Sequence, residues 1–392
     1  MKKPHLFDFD EIIAREGTSS MKLGMIPEVY PDAPKDSLAL WIADMDFACP
    51  PCAIDAIRAR LDRKILGYSK LVEEDYYQSF IGFEKRIHHL DVEKDWVVFS
   101  SGVIPAIKHL VAILTKPDEG VVLTTPGYYP FEVSVLDNGR KLVTSKMIED
   151  KTGRYQIDFA DLETKLSDPR NTLFIFCSPQ NPTGRVWSVE EITRVHSLCL
   201  RHGVKIISDE IHSDLLRRGV THTPMIALFP DDKTIFTCTA PSKTFNMAGM
   251  HFSNILIKDK VIRDDWYSSQ PCEHPSPLSI EAAKACFLKG DDWLDELKDY
   301  LDGNVAFVAH YLKTRLPKAL FYPPEGTYLA WINLKAYSLK DEEIMRRCVE
   351  NGLLIEGASS FIADAEGHIR LNLAAPRAII AEAMRRLEKA LA

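Results

Sequence analysis

Thr234-Ile235-Phe236-Thr237-Cys238 runs directly into Thr239-Ala240-Pro241-Ser242-Lys243-Thr244-Phe245-Asn246. The first five residues form a short apolar run and predict a buried strand. A lysine at the mouth of such a strand is out of place, because burying an ammonium is costly unless it is paired or neutralised. A solvated loop is the plain reading. Condensation with an aldehyde is the chemical one. It removes the charge, and lysines so placed form Schiff bases with pyridoxal phosphate. The companions of Lys243 decide between the two.

Working outward, similar apolar runs recur at 96–100, 121–124, 172–177, 204–208 and 253–257. Amphipathic helical patterns lie between them at 103–114, 159–166 and 189–201, the last with Ser188 as its N-cap. Short strands alternating with helices predict an α/β fold: a mostly parallel sheet covered by helices on both faces. In such a sheet, ligand groups gather at the carboxyl ends of the strands. Beyond residue 290 the pattern changes to helices at 292–316, 341–351 and 378–391, with strands at 327–334, 353–356 and 369–373. The expected division is an N-terminal segment (1–45) packing with a smaller α+β domain (289–392), and a large cofactor-binding domain (46–288).

The 392 residues, 46% hydrophobic and 27% charged, suffice for two cores. A net charge of -8 leaves no electrostatic footprint for nucleic acid or an anionic membrane. Lys2 and Lys3 have no apolar run behind them, so no secretory signal is expected, nor is any stretch long enough to span a bilayer. A cytoplasmic protein is the expectation. The cysteines (Cys49, Cys52, Cys177, Cys199, Cys238, Cys272, Cys286 and Cys348) are scattered, and they read as reduced residues. Cys49-Pro50-Pro51-Cys52 fits C-x-x-C, but it lacks a second pair for a metal and reads as a turn into a helix. No metal is expected, and Cys49 is taken as exposed.

Five further positions carry chemistry. Asp209, in Ser208-Asp209-Glu210-Ile211-His212, follows a strand; it suits either a helix cap or the anion that keeps a pyridine nitrogen protonated. Asn181, in Ser178-Pro179-Gln180-Asn181-Pro182-Thr183-Gly184, sits in a good turn, yet at a strand end where its amide could hold a phenolate oxygen. Ser101-Gly102-Val103 joins a strand to a helix, and its free N–H groups and helix dipole suit a phosphate. Tyr128, in Pro126-Gly127-Tyr128-Tyr129, is placed to stack on a flat ring or to fill core. Arg370, in Ile369-Arg370-Leu371-Asn372, faces away from its apolar neighbours, either into solvent or into a cleft as a carboxylate clamp.

The order of these motifs resembles the fold-type I pyridoxal-phosphate-dependent aminotransferase superfamily over essentially the whole chain. Within it, the chain is most similar to the cystathionine β-lyase and cystalysin-type C–S lyase branch. The strings that carry this are Leu40-Trp41-Ile42-Ala43-Asp44-Met45-Asp46-Phe47, Ser208–His212, Pro241–Asn246, Glu325-Gly326-Thr327-Tyr328-Leu329-Ala330-Trp331 and Ile369–Asn372. The resemblance implies that Lys243 holds the cofactor and moves the substrate Cα proton. It implies that Asp209 pairs with the ring nitrogen, Asn181 bonds the phenolate oxygen and Tyr128 stacks on the ring. Gly102, Val103 and Ser242 would cup the phosphate, and Arg370 would bind the substrate carboxylate. Tyr68, in Leu66-Gly67-Tyr68-Ser69, would reach the phosphate of a second subunit, which implies a homodimer. Three positions depart from the pattern. His212 replaces a tyrosine and would still bond the cofactor near its phenolate, or else fill space; His251 replaces an arginine, and Phe361-Ile362 stands where relatives often have Phe-Gly.

The resemblance implies β-elimination of a thiol from a sulfur-containing amino acid. An aminotransferase would use the same residues and is the first alternative. A cofactor-binding regulatory protein with little turnover is the second. A Rossmann dehydrogenase is excluded, because no G-x-G-x-x-G follows an early strand.

Overall fold

Seven strands build the central sheet: β1 (Val97–Ser100), β2 (Gly120–Thr125), β3 (Lys141–Lys146), β4 (Asn171–Cys177), β5 (Lys205–Asp209), β6 (Ile235–Thr239) and β7 (Ser253–Ile257). Every residue of β2, β6 and β7 is buried, as continuous apolar runs require of strands covered on both faces. The order is β1-β7-β6-β5-β4-β2-β3. All neighbours are parallel except β7, which runs antiparallel to β1 and β6. The mostly parallel sheet expected from the sequence is therefore present. This computed structural model describes residues 6–269 and 273–392. Met1–His5 of the expected N-terminal segment, and Cys272, lie outside the described residues.

Successive side chains of the strands enter separate cores. Val121 and Leu123 pack with helix α1 (Val103–Leu114) in one, while Val122 packs with α2 (Val189–His202) in the other. The Ser188 cap is part of a capping box with Glu191, and Gly203 ends α2 in the left-handed region at φ 70°.

A second sheet is antiparallel, in the order β8-β10-β9, with β8 (Leu329–Asn333), β9 (Glu356–Gly357) and β10 (His368–Asn372). Helices α3 (Asp291–Arg315), α4 (Asp341–Glu350) and α5 (Arg377–Leu391) share a core with it around Leu312, Ile344, Leu371 and Leu387. Leu38–Ala39 pairs in parallel with Leu353–Leu354. Phe361–Ile362 pairs antiparallel with Gly127–Tyr128, tying the loop after β9 to the loop after β2.

Pro51 opens a helix that runs to Leu61, as the turn reading of the C-x-x-C string expected. Cys49, taken as exposed, is instead partly buried, and its thiol donates to the Asn246 carbonyl at 3.1 Å. Among the described residues, no His, Cys, Asp and Glu cluster could hold a metal ion. No helix there is long and apolar enough to cross a membrane.

Candidate active site

The register of the sheet assembles the site. Asp209 at the end of β5 lies between Cys177 of β4 and Cys238 of β6. The Ser178 amide donates to the Asp209 carbonyl at 2.9 Å, and the Glu210 amide to the Cys238 carbonyl at 3.0 Å. The loops carrying Asn181 and Lys243 therefore leave the sheet on either side of Asp209. The loops after β1 and β2, carrying Gly102 and Tyr128, leave from the same edge.

Lys243 sits on a single helical turn, Pro241–Thr244, and its Nζ donates to the Ala43 carbonyl at 2.6 Å. Burial brings its ammonium down to about 8, with the Arg370 cation pushing the same way and Asp44, Asp209 and Glu356 opposing. Asp209 is 4% exposed, and burial pushes its carboxyl up to about 7. The Ile211 amide and the Lys243 charge pull it back, while Glu210 adds to the rise. His212 is brought down to about 3 by burial and by the Lys243 and Arg370 charges. It is thus a neutral imidazole at pH 7, its ring edge-on to Tyr328.

Arg370, on β10, is 2% exposed, which settles its direction: it points inward. One guanidinium nitrogen donates to Asn181 Oδ1 at 3.0 Å and another to the Trp41 carbonyl at 3.2 Å. The Phe361 ring lies 5.2 Å from its centre, and Glu356 forms an ion pair with it. Tyr128 is partly buried, edge-on to Phe131, and feels the charges of Arg370, Glu356 and Asp209.

Lys243, Asp209, Asn181, Tyr128, His212 and Arg370 thus converge. Ser242 is partly buried beside Lys243. Gly102 and Val103 begin α1, as the phosphate reading requires. Tyr68 does not join them: it is fully exposed, its ring 6.2 Å from that of His274. His251 is exposed, in the left-handed region at φ 50°.

Sequence reasoning passed over the segment that floors the site. Residues 41–47 are held from several sides. Asn246 donates to the Met45 and Phe47 carbonyls, and Asn372 to those of Ile42 and Asp44. Lys22, 1% exposed, and Arg15 both bridge Asp44 and Asp46. Tyr328 shares the Ala43 carbonyl with Lys243. The strings 40–47 and 325–331 marked the family without revealing these roles. Glu356 was also passed over, because its pairing depends on the register of β9 against β10.

The donor set fits pyridoxal phosphate. Buried His212 Nδ1, Ser178 Oγ and Arg370 Nε have no hydrogen-bond partner within the chain. Where the phosphate is expected, the Ser101 amide and hydroxyl already hold a carboxylate, that of Glu273, each at 3.3 Å. An anion therefore fits at the start of α1.

An open α/β sheet with a lysine and an aspartate at its carboxyl edge, facing an arginine from a second sheet, is the architecture of a cofactor-dependent enzyme. The aminotransferase class I and II profile matches residues 35–387, and the chain belongs to that family. Cystathionine beta-lyase PatB of Bacillus subtilis is 39% identical over 98% of this chain and 100% of its own. The PLP-bound C-S lyase of Staphylococcus hominis superposes with a TM-score of 0.93, at 36% identity over 98% of each chain. Cystalysin of Treponema denticola, a pyridoxal 5'-phosphate protein, superposes at 0.95, with 33% identity over 98% of this chain and 99% of that one.

Proposed function

We propose that this chain is a pyridoxal-phosphate-dependent carbon–sulfur β-lyase, which takes a thiol from a sulfur-containing L-amino acid and leaves pyruvate and ammonia. The observation that carries the cofactor is the partly buried Lys243 amine, turned inward onto the Ala43 carbonyl and within electrostatic reach of Asp209 and Arg370. What favours a lyase over an aminotransferase is the full-length likeness to proteins named as lyases.

Bound here, pyridoxal phosphate would supply an electron sink for the pair left when the substrate Cα loses its proton. The residues of the chain do the rest. Lys243, whose amine titrates near 8, is a base matched to neutral pH. Asp209 would pair with the ring nitrogen, and a cation there would draw its carboxyl back to the ionised form. The Asn181 amide and the neutral His212 would hold the phenolate oxygen, and Tyr128 would offer its ring. Arg370 binds the α-carboxylate and fixes the Cα–H bond toward Lys243. Once Cα has lost its proton, the pair left there forms a Cα=Cβ bond as the Cβ–S bond breaks, and the sulfur departs with its bonding pair and takes up a proton as the thiol. Hydrolysis of what remains gives pyruvate and ammonia. The same residues serve transamination when Cβ bears no leaving group.

Incubation of the cofactor-loaded protein with L-cystathionine, L-cystine and L-cysteine, without any keto acid, tests this. Pyruvate and thiol should accumulate over many turnovers. Amino-group exchange that begins only when a keto acid is added would make the chain an aminotransferase. Neither activity, despite bound cofactor, would favour the regulatory reading.

We further propose a homodimer in which Tyr68 serves the neighbouring subunit. Its complete exposure supports this, as do Leu61, Ile65, Leu66 and Val72 around it, which are 45–71% exposed.

A further inference from the structure

Arg370 is not a free clamp. β9 and β10 run antiparallel with Glu356 directly opposite Arg370, so the two side chains leave the same face of the sheet and meet. Glu356 is one-fifth exposed and ion-paired with the guanidinium, which is 2% exposed. The pairing is incomplete as hydrogen bonding. Arg370 Nε has no hydrogen-bond partner. The other guanidinium bonds run to Asn181 and to the Trp41 carbonyl, which hold the group without neutralising it. Resting on the reading of Arg370 as the substrate-carboxylate clamp, we propose that Glu356 is a resident counter-ion on that clamp, which the substrate carboxylate must displace. Glu356 is then a residue that sets substrate affinity, rather than one that takes part in the chemistry.

The physical logic is competition. Two carboxylates cannot both sit against one guanidinium nitrogen without repelling each other. Nη2, which Glu356 shares with the Trp41 carbonyl, and the unpartnered Nε form one edge of the fork, the edge a bidentate carboxylate would take. A resident carboxylate spares the substrate-free site an unpaired buried cation beside Lys243, and it raises the concentration at which an amino acid fills the site.

The test uses the cofactor-loaded protein, with propionate as a carboxylate probe that cannot react. Calorimetric titration should show Glu356→Gln binding propionate about tenfold more tightly than the unchanged chain, with Glu356→Asp in between. For L-cystathionine, the effect of Glu356→Gln should fall on KM more than on kcat. Equal or weaker propionate binding by a Glu356→Gln protein that melts as the unchanged chain does would overturn the inference. Arg370→Gln separates the two layers. If it leaves propionate binding intact, the clamp assignment itself fails and the inference with it. If it abolishes binding while Glu356→Gln changes nothing, only the inference falls.

Discussion

Lys243, Asp209 and Arg370 carry three formal charges in one buried space, and burial decides the state of the first two. It lowers Lys243 to about 8 and raises Asp209 to about 7, so each is near the point of changing charge at neutral pH. Arg370 is the residue proposed to bind the substrate carboxylate. Arg370→Gln should therefore raise the KM for a thioether amino acid roughly thirtyfold, since a charge-assisted hydrogen bond is worth about 2 kcal/mol; an unchanged KM would mean that the carboxylate binds elsewhere. At this scale the sequence was informative wherever a side chain sits a fixed few residues past a strand. Lys243, Asp209, Asn181 and Tyr128 were found in that way. Glu356 was not, because its meeting with Arg370 depends on how two distant segments register. Lys22 was not, because a lysine 1% exposed near the N-terminus looks like any surface lysine until Asp44 and Asp46 are placed around it.

Elements show how the site is held. Beneath the strand ends, the helix Glu74–His88 brings His88 to Asp214 at 2.6 Å, and Thr244, next to Lys243, donates to the other Asp214 oxygen at 2.6 Å. Glu210, next to Asp209, accepts from Ser208 at 2.7 Å and faces His222 at 3.0 Å. Two buried acid–histidine pairs thus anchor the loops of the two central residues. Burial alone would lower His88, but the Asp214 carboxylate, with Glu84 and Glu210 beyond it, lifts it to about 9 against an ordinary 6.5. The folded chain therefore binds this proton more tightly than the unfolded one. The resulting stabilisation, about 3 kcal/mol, is full below pH 6.5 and lost as pH rises through about 9. The melting temperature should fall across that window, and His88→Gln should flatten the fall; an equally steep fall in the variant would refute the assignment. The sequence placed the β4, β5 and β6 runs within a residue or so, because continuous apolar runs between helices have few alternatives. It did not reveal that β7 is antiparallel, since neither burial nor length distinguishes strand direction.

In the molecule as a whole, the seven-stranded sheet supplies the cofactor side of the site and the three-stranded sheet supplies Arg370 and Glu356. Segment 41–47 lies between them, and Phe361–Ile362 joins the loop of Tyr128. The site is thus built from parts far apart in the chain, and that is why sequence order revealed its cofactor side better than its substrate side. Tyr68, exposed on the single chain, is the residue proposed to serve a second subunit. Sedimentation should give a dimer, and Tyr68→Phe should weaken cofactor retention without dissociating it; a monomer that retains the cofactor fully would contradict the shared site. Lys243 is the residue on which the proposed cofactor chemistry turns. Borohydride reduction of the yellow protein, followed by peptide mass analysis, tests it most directly. The reduced cofactor should appear on the peptide containing Lys243 and nowhere else. Cofactor on another lysine, or a Lys243→Ala protein that still takes up the label, would contradict it.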